Sequence, residues 1–276
     1  MNTLQVSALA VLQGITEFFP ISSSGHLVLM QHFLRLRDVP VFFDLVLHLG
    51  TTAAVIAVYY RFIGEILYDL IIWPFSGKEK RKTISEKGTA RLFFYIALST
   101  GITGILGILF KDFLTSFFYR PGIVPVFLFC TGVILLGTRF LQKGEVDIRT
   151  MRTGHAAVIG TVQALAMLPG ISRSGTTISA GLYLGMTREF SGAFSFLLSI
   201  PSVLGASLFE YFQSGASGTD FSLLLLGFGL SFATGFIALK LLLAFLRRGS
   251  LYIFSYYCFA AAVTAFIVMK TGGFGG

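Results

Sequence analysis

The apolar positions of this chain fall in long unbroken runs divided by short polar connections, and nowhere in the strict alternation of a half-buried strand. Crossing the hydrocarbon core of a bilayer takes roughly 20 apolar residues in a helix. Six runs meet that length, near residues 41–60, 91–110, 122–141, 190–212, 221–246 and 251–270. The longest polar connection, residues 76–91, reads as a solvated basic loop that follows a surface helix at 62–73. Two further apolar stretches fit no span. Residues 4–34 are broken between Pro20 and Gly25, and residues 155–187 between Pro169 and Gly175. Each half is too short to cross, so each stretch predicts a re-entrant helical hairpin. A break of this kind frees backbone N–H and C=O groups, which survive at membrane depth only inside protein or beside a water-filled cavity. Both breaks are therefore candidate sites.

The two breaks resemble one another. Sliding the chain by 150 residues lays Gln13 on Gln163, Ile21 on Ile171, Ser22 on Ser172, Ser24 on Ser174 and Gly25 on Gly175. The pattern predicts an internal repeat, one unit over about 1–141 and a second over about 152–276, each a hairpin followed by three spans. An odd number of spans between the hairpins inverts the second unit, and in such folds the broken elements meet near the midplane. The predicted fold class is thus all-α: a polytopic membrane helix bundle of six spans plus two re-entrant helical hairpins, with an inverted-topology internal repeat, in one integral membrane domain over 1–276.

Composition agrees with the pattern. Hydrophobic residues make up 54% of the chain and charged residues 12%, about half the charged share of a soluble domain. Cys130 and Cys258 both lie inside apolar runs, at different depths, and no disulfide is expected. The start of the chain lacks a basic n-region, so no cleavable signal peptide is expected. The net charge of +8 could suggest a nucleic-acid partner, but the basic residues sit mostly in the connections, as membrane topology requires. Counted over the predicted topology, fourteen Lys and Arg fall on one face. Five fall on the other: Arg35, Arg37, Lys111, Arg120 and Lys270. The positive-inside bias makes the richer face cytoplasmic. Both termini and the mouth of the first hairpin then face outward, in a bacterial cytoplasmic (inner) membrane.

Within the first break, Glu17, Ser22, Ser23, Ser24 and His26 bring a carboxylate, three hydroxyls and an imidazole to membrane depth within ten residues, which is expensive unless they do chemistry. Ser22 to Ser24 can cap a half-helix whose N–H groups and dipole favour an anion. Gly25, like its counterpart Gly175, would let a ligand approach the backbone closely. Glu17 suits a metal or a proton, and Gln13 lies one helical turn before it on the same face. Mg²⁺ or Ca²⁺ would fit such oxygen ligands and bridge to phosphate. In the second break Arg173 needs an anion, and its planar fork matches phosphate oxygens. The alternative is a structural ion pair with Glu17. Ser172, Ser174, Thr176 and Thr177 can add donors at a helix N-terminus or simply cap it. Together these parts point to phosphoryl transfer. Ser23 activated by His26 or by Glu17, and direct attack by His26, all remain open. Asp44 and His48, four apart on one helix, suggest a supporting pair.

Two segments, Gln13 to His26 and Pro169 to Thr177, together with segment order and length over nearly the whole chain, make the sequence similar to the undecaprenyl-pyrophosphate phosphatase family of the bacitracin-resistance type. The resemblance implies hydrolysis of a polyprenyl pyrophosphate lipid within the bilayer, a divalent cation, a site open to the outer face, and bacitracin tolerance. It implies catalytic roles for Glu17, Ser23, His26 and Arg173, and substrate contacts from Ser22, Ser24, Ser172, Ser174 and Thr177. Gln13 departs from the glutamate with which that family's first motif often begins, which removes one anionic metal ligand. A carrier or flippase of the same lipid is the competing class, since inverted repeats with broken helices are what transporters use. Oligomeric state, including a homo-oligomer, stays open.

Overall fold

The computed structural model describes residues 1–34, 36, 39–118, 120–214 and 220–270. Arg35 and Arg37, counted above on the sparsely basic face, lie outside the described residues. Twelve α-helices make up the regular structure of the described residues: α1 (Thr3–Phe18), α2 (Ser23–Phe33), α3 (Val41–Ile72), α4 (Lys78–Lys87), α5 (Thr89–Leu109), α6 (Lys111–Phe118), α7 (Val124–Gly137), α8 (Thr153–Leu165), α9 (Arg173–Tyr183), α10 (Arg188–Ser214), α11 (Phe221–Arg247) and α12 (Ile253–Lys270). Local chemistry sets the ends of α1. Asn2 and Gln5 cap each other's backbone N–H at 2.9 Å. Pro20 disfavours helical backbone at Phe19, which is extended at φ −59°, ψ 136°.

Five of the described helices are long and apolar enough to cross a membrane: those beginning at Val41, Thr89, Arg188, Phe221 and Ile253. Their outward faces carry large apolar side chains, such as Phe93, Phe94, Ile105 and Ile108 on α5, which is how a helix meets lipid and not water. The chain is a multi-pass membrane helix bundle. The sixth predicted span, 122–141, is shorter than expected. Only 14 residues form α7, about 21 Å by helical rise, followed by a 3₁₀ turn over Thr138–Phe140. Two other expectations need correction. The surface helix at 62–73 is the continuation of α3, whose 32 residues extend about 48 Å, past any hydrocarbon core. The basic connection 76–91 is not an open loop, because ten of its residues form α4. That helix ends at Gly88 (φ 82°), and the next begins with buried Asp69 accepting from Thr89 Oγ1 at 2.8 Å. Cys130 and Cys258 are free thiols.

The packing is organised by pairs. Helix α1 packs on α11 and α8 on α5; α3 packs on α11 and α5 on α10; α3 meets α10, and α7 meets α12. Matching the elements in order (α1 with α8, α3 with α10, α5 with α11, α7 with α12) carries each of these contacts onto another of the set or onto itself. One core cluster holds Phe18, Ala54, Ile178, Phe196, Leu239 and Leu242, with the Phe18 and Phe196 rings edge to face at 5.7 Å.

Where α8 crosses α5, a Cβ placed on Gly160 would lie 2.7 Å from the Ser99 carbonyl oxygen and 2.8 Å from its Cα. Gly160→Ala should therefore cost about 1–3 kcal/mol through overpacking, read as a lowered midpoint of thermal unfolding in detergent. Gly64→Ala, where a Cβ meets nothing within 4 Å, should leave the midpoint unchanged or raise it.

Candidate active site

The two breaks touch. In the first, Ser22 sits at φ 69°, the one non-glycine residue at positive φ among the described residues, a backbone conformation that costs of order 1–3 kcal/mol. What holds it there is its hydroxyl. Ser22 Oγ accepts from the N–H of Gly25 at 3.3 Å, capping α2, and from the N–H of Gly170 in the second break at 3.1 Å. Gly170 has φ 106°, and a Cβ there would lie 2.7 Å from the Val124 carbonyl oxygen on α7. A Cβ on Gly25 would lie 3.0 Å from Gly170 Cα. The second break is tied to α7 by Thr131, which is buried. Its Oγ1 donates to the Gly170 carbonyl at 2.9 Å and accepts from the Ser172 N–H at 3.1 Å. Ser172 Oγ caps α9 by accepting from Gly175 N–H at 3.0 Å.

This scaffold brings the charged groups together. Glu17 Oε1 forms an ion pair with Arg173 Nη2. Its other oxygen, Oε2, accepts from Ser23 Oγ at 2.6 Å and from Gln13 Nε2 at 2.9 Å. The Gln13 amide also donates to His48 Nδ1 on α3 at 2.8 Å. Glu17, Ser23, Ser24, His48 and Arg173 line a cavity of about 380 Å³. Its wall also carries the apolar side chains of Leu45, Leu114, Phe118, Met167 and Val203, interspersed with Thr103, Lys111, Thr115, Gln163 and Ser202. Such an arrangement can hold an anion against Arg173, take a proton from Ser23 onto Glu17, and accept an apolar chain beside both.

The other anticipated residues are placed differently. His26 does not line this cavity. Its Nδ1 donates to the Ser22 carbonyl at 2.7 Å and its Nε2 accepts from Tyr257 Oη at 2.8 Å, with the two rings stacked at 5.7 Å. Of the two candidate bases for Ser23, the one in hydrogen-bond contact is Glu17. The hydroxyls of Ser22, Ser172, Ser174 and Thr177 are buried within the scaffold: Ser174 bonds Ser172 at 3.3 Å, and Thr177 bonds the Arg173 carbonyl at 2.7 Å and Ser195 Oγ at 2.5 Å. Gly25 and Gly175 serve as close-packing positions whose N–H groups are taken by the serine caps. Asp44 accepts from Gln31 at 3.1 Å with both its oxygens, while His48 turns to α1. Thr131, Tyr257 and the cavity-facing role of His48 had no signal in the sequence. Gln163, which donates to Thr103 Oγ1 at 3.1 Å and Ser202 Oγ at 2.9 Å beside the cavity, was visible only as the partner of Gln13 in the offset.

The donors suit a hard divalent cation. Glu17 offers carboxylate oxygens, and Gln13 Oε1 is buried without a hydrogen-bond partner. Among the described residues no three His, Cys, Asp or Glu side chains cluster, so the chain supplies few ligands and phosphate oxygens or water would complete the shell, as at many Mg²⁺ sites.

Residues 6–264 match the family described as Bacitracin resistance protein BacA. A protein named undecaprenyl-diphosphatase from Desulfatibacillum aliphaticivorans is 38% identical over 272 residues, covering 97% of this chain and 99% of the relative. Relatives of the same name from Desulfosudis oleivorans and Methanobrevibacter smithii are 40% identical over 276 residues and 37% identical over 275. They cover 98% and 97% of this chain, and 100% and 98% of their own lengths.

Replacing Thr131 by Val strips the Gly170 carbonyl and the Ser172 N–H of their buried partner at constant shape. The expected loss is about 1–3 kcal/mol of stability, seen as a lowered unfolding midpoint in detergent, and Thr131→Ser should restore most of it.

Proposed function

The chain belongs to the bacitracin resistance protein BacA family, and we propose on that footing that it hydrolyses undecaprenyl diphosphate to undecaprenyl phosphate and inorganic phosphate. The observation that carries this reading is the contact of Ser23, Glu17 and Arg173 across the two breaks: a hydroxyl on a carboxylate, and a guanidinium beside both. Ser23 Oγ attacks the terminal phosphorus and its proton passes to Glu17 Oε2. The phosphoanhydride P–O bond breaks and undecaprenyl phosphate leaves. Water then attacks the phosphoserine, the proton held by Glu17 returns to Ser23 Oγ, and phosphate departs with release of a proton from the water. Arg173 turns its fork from Glu17 to the phosphoryl oxygens and opposes the charge that spreads over them. The free N–H groups in the first turns of α2 and α9 add donors. A divalent cation, Mg²⁺ or Ca²⁺, would neutralise charge on the diphosphate when held by Glu17 and the Gln13 amide oxygen.

The apolar side chains in the cavity wall, Leu45, Leu114, Phe118, Met167 and Val203, suit the first isoprene units of the lipid. That wall includes α6 and the N-terminal half of α3, which lie toward the sparsely basic face, so the site opens outward from the cytoplasmic membrane under the positive-inside bias. Drawing down the diphosphate there recycles the lipid carrier and raises tolerance of bacitracin, which sequesters that lipid. The broken helices also suit a carrier, but a carrier has little use for a hydroxyl bonded to a carboxylate.

Purified protein given undecaprenyl diphosphate and Mg²⁺ or Ca²⁺ should release phosphate. Ser23→Ala and Glu17→Gln should each lower the rate by about 10²-fold or more. Arg173→Lys should lose about as much, because a point charge cannot replace the fork. Thr177→Ala should cost only about fivefold, given the hydroxyls around it. Lipid scrambling in liposomes without phosphate release would establish the carrier instead. Full activity of Ser23→Ala with loss in His26→Ala would overturn the nucleophile assignment.

A further inference from the structure

The hydrolysis just described places the terminal phosphate, but gives the phosphate that stays on the lipid no side chain of its own. Glu17 and Arg173 form an ion pair, so together they bring no net charge to the cavity. A diphosphate ester carries several negative charges, and charge taken out of water must be paired. Once Arg173 turns to the terminal phosphoryl group, the retained phosphate calls for a second cation. Besides Arg173, the ammonium of Lys111 is the basic group of the Lys or Arg type in the cavity wall among the described residues.

Lys111 is the first residue of α6, and the residues of α6 that line the cavity are Lys111, Leu114, Thr115 and Phe118. Spacings of three and four put all four on one face of the helix. An ammonium comes first along that face. Leu114 and Phe118, which suit the isoprene units, follow over two turns, about 10 Å. A lipid diphosphate has the matching order of phosphate and then apolar chain. Gln163 also lines the cavity, but its amide hydrogens go to Thr103 Oγ1 and Ser202 Oγ.

Lys111 Nζ stands 5.1 Å from the centre of the Phe209 ring on α10. A cation–π contact leaves the formal charge in place. The flexible four-carbon stem of a lysine lets that charge swing to an anion that enters. Lys111 also belongs to the sparsely basic face, where the topological bias disfavours a lysine.

We propose that Lys111 is a specificity-determining residue: it binds the phosphate that stays on the lipid and makes the site prefer a polyprenyl diphosphate to a monophosphate. This deepens the hydrolase reading and rests on it for the class of ligand.

The test is binding to full-length protein in detergent, with farnesyl phosphate and farnesyl methylenediphosphonate as the probes. The second joins its two phosphorus groups through carbon, so it binds as a diphosphate and is not cleaved. Wild type should favour the diphosphonate by at least about tenfold, the size of one charge-assisted contact. Lys111→Met should lose about 10–100-fold in affinity for the diphosphonate and change less than about threefold for farnesyl phosphate. Lys111→Arg should keep the preference. Lys270→Met is the matched control, since Lys270 stands 5.6 Å from the Phe266 ring centre and does not line the cavity; it should bind as wild type does. In wild type the diphosphonate should also shield Lys111 from an amine-reactive reagent, read by mass spectrometry, and leave Lys270 as reactive as before. That measurement decides alone should Lys111→Met fail to fold. An undiminished preference in Lys111→Met, or a Lys111 equally reactive with and without the diphosphonate, overturns the assignment. Phosphate release from undecaprenyl diphosphate by wild type, alongside either of those results, sinks the Lys111 contact and leaves the hydrolase standing. A preference that depends on Lys111 without phosphate release keeps the contact and sinks the hydrolase.

Discussion

The ion pair between Arg173 and Glu17 joins residues 156 apart in sequence, and the rest of the site depends on it. A lone guanidinium or carboxylate at membrane depth costs several kcal/mol. Mutual contact offsets that desolvation only where geometry is held and the remaining lone pairs are satisfied. Much of the surrounding structure meets those two conditions. Ser23 and Gln13 occupy the second Glu17 oxygen, and Ser22 spans the gap between the breaks by its contact with Gly170. The positive φ of Ser22 is the strained element of this assembly, and its two accepted hydrogen bonds hold it in place.

The two breaks share a scaffold but carry different polar side chains. Ser22 and Ser172 do the same work, each capping a half-helix through the N–H three residues on. At other positions the 150-residue offset pairs unlike residues: Glu17 with Met167 and Ser23 with Arg173. The first unit thereby contributes the carboxylate and the hydroxyl, and the second contributes the cation and an apolar wall. On the proposed reading, an anionic headgroup between such halves would meet the Ser23 hydroxyl from one side and the Arg173 guanidinium from the other. Neither half alone could balance its own charge inside a bilayer.

Membrane constraints made much of this legible in advance. Long apolar runs have few structural solutions in lipid, so the spans could be placed within a few residues, save that α3 runs on to Ile72. Pro20 and Pro169, each followed within two or three residues by serines, announced the breaks, and an arginine inside an otherwise apolar stretch called for an anion. Short elements were less readable. Helix α4 has too little apolar periodicity to distinguish it from a solvated loop, and the length of α7 is cut by the turns at its ends. Long-range partners were not readable at all. Thr131, His48 and Tyr257 reach the breaks from helices 39, 35 and 231 residues away, and only the register of packed helices brings them there. The serine and threonine hydroxyls were ambiguous for another reason: the residue types that bind phosphate are those that cap helices.

A double-mutant cycle on unfolding tests the central contact most directly. Glu17→Gln and Arg173→Met, made singly and together, would be compared by denaturant or thermal unfolding in the same detergent. Each single variant leaves a buried charge without its partner, which typically costs about 3–5 kcal/mol, while the double variant leaves neither. The expected result is a double variant more stable than the sum of the two losses implies, with a coupling of at least about 1 kcal/mol. Strictly additive losses would show that the two groups do not meet, and would contradict the convergence of the two breaks.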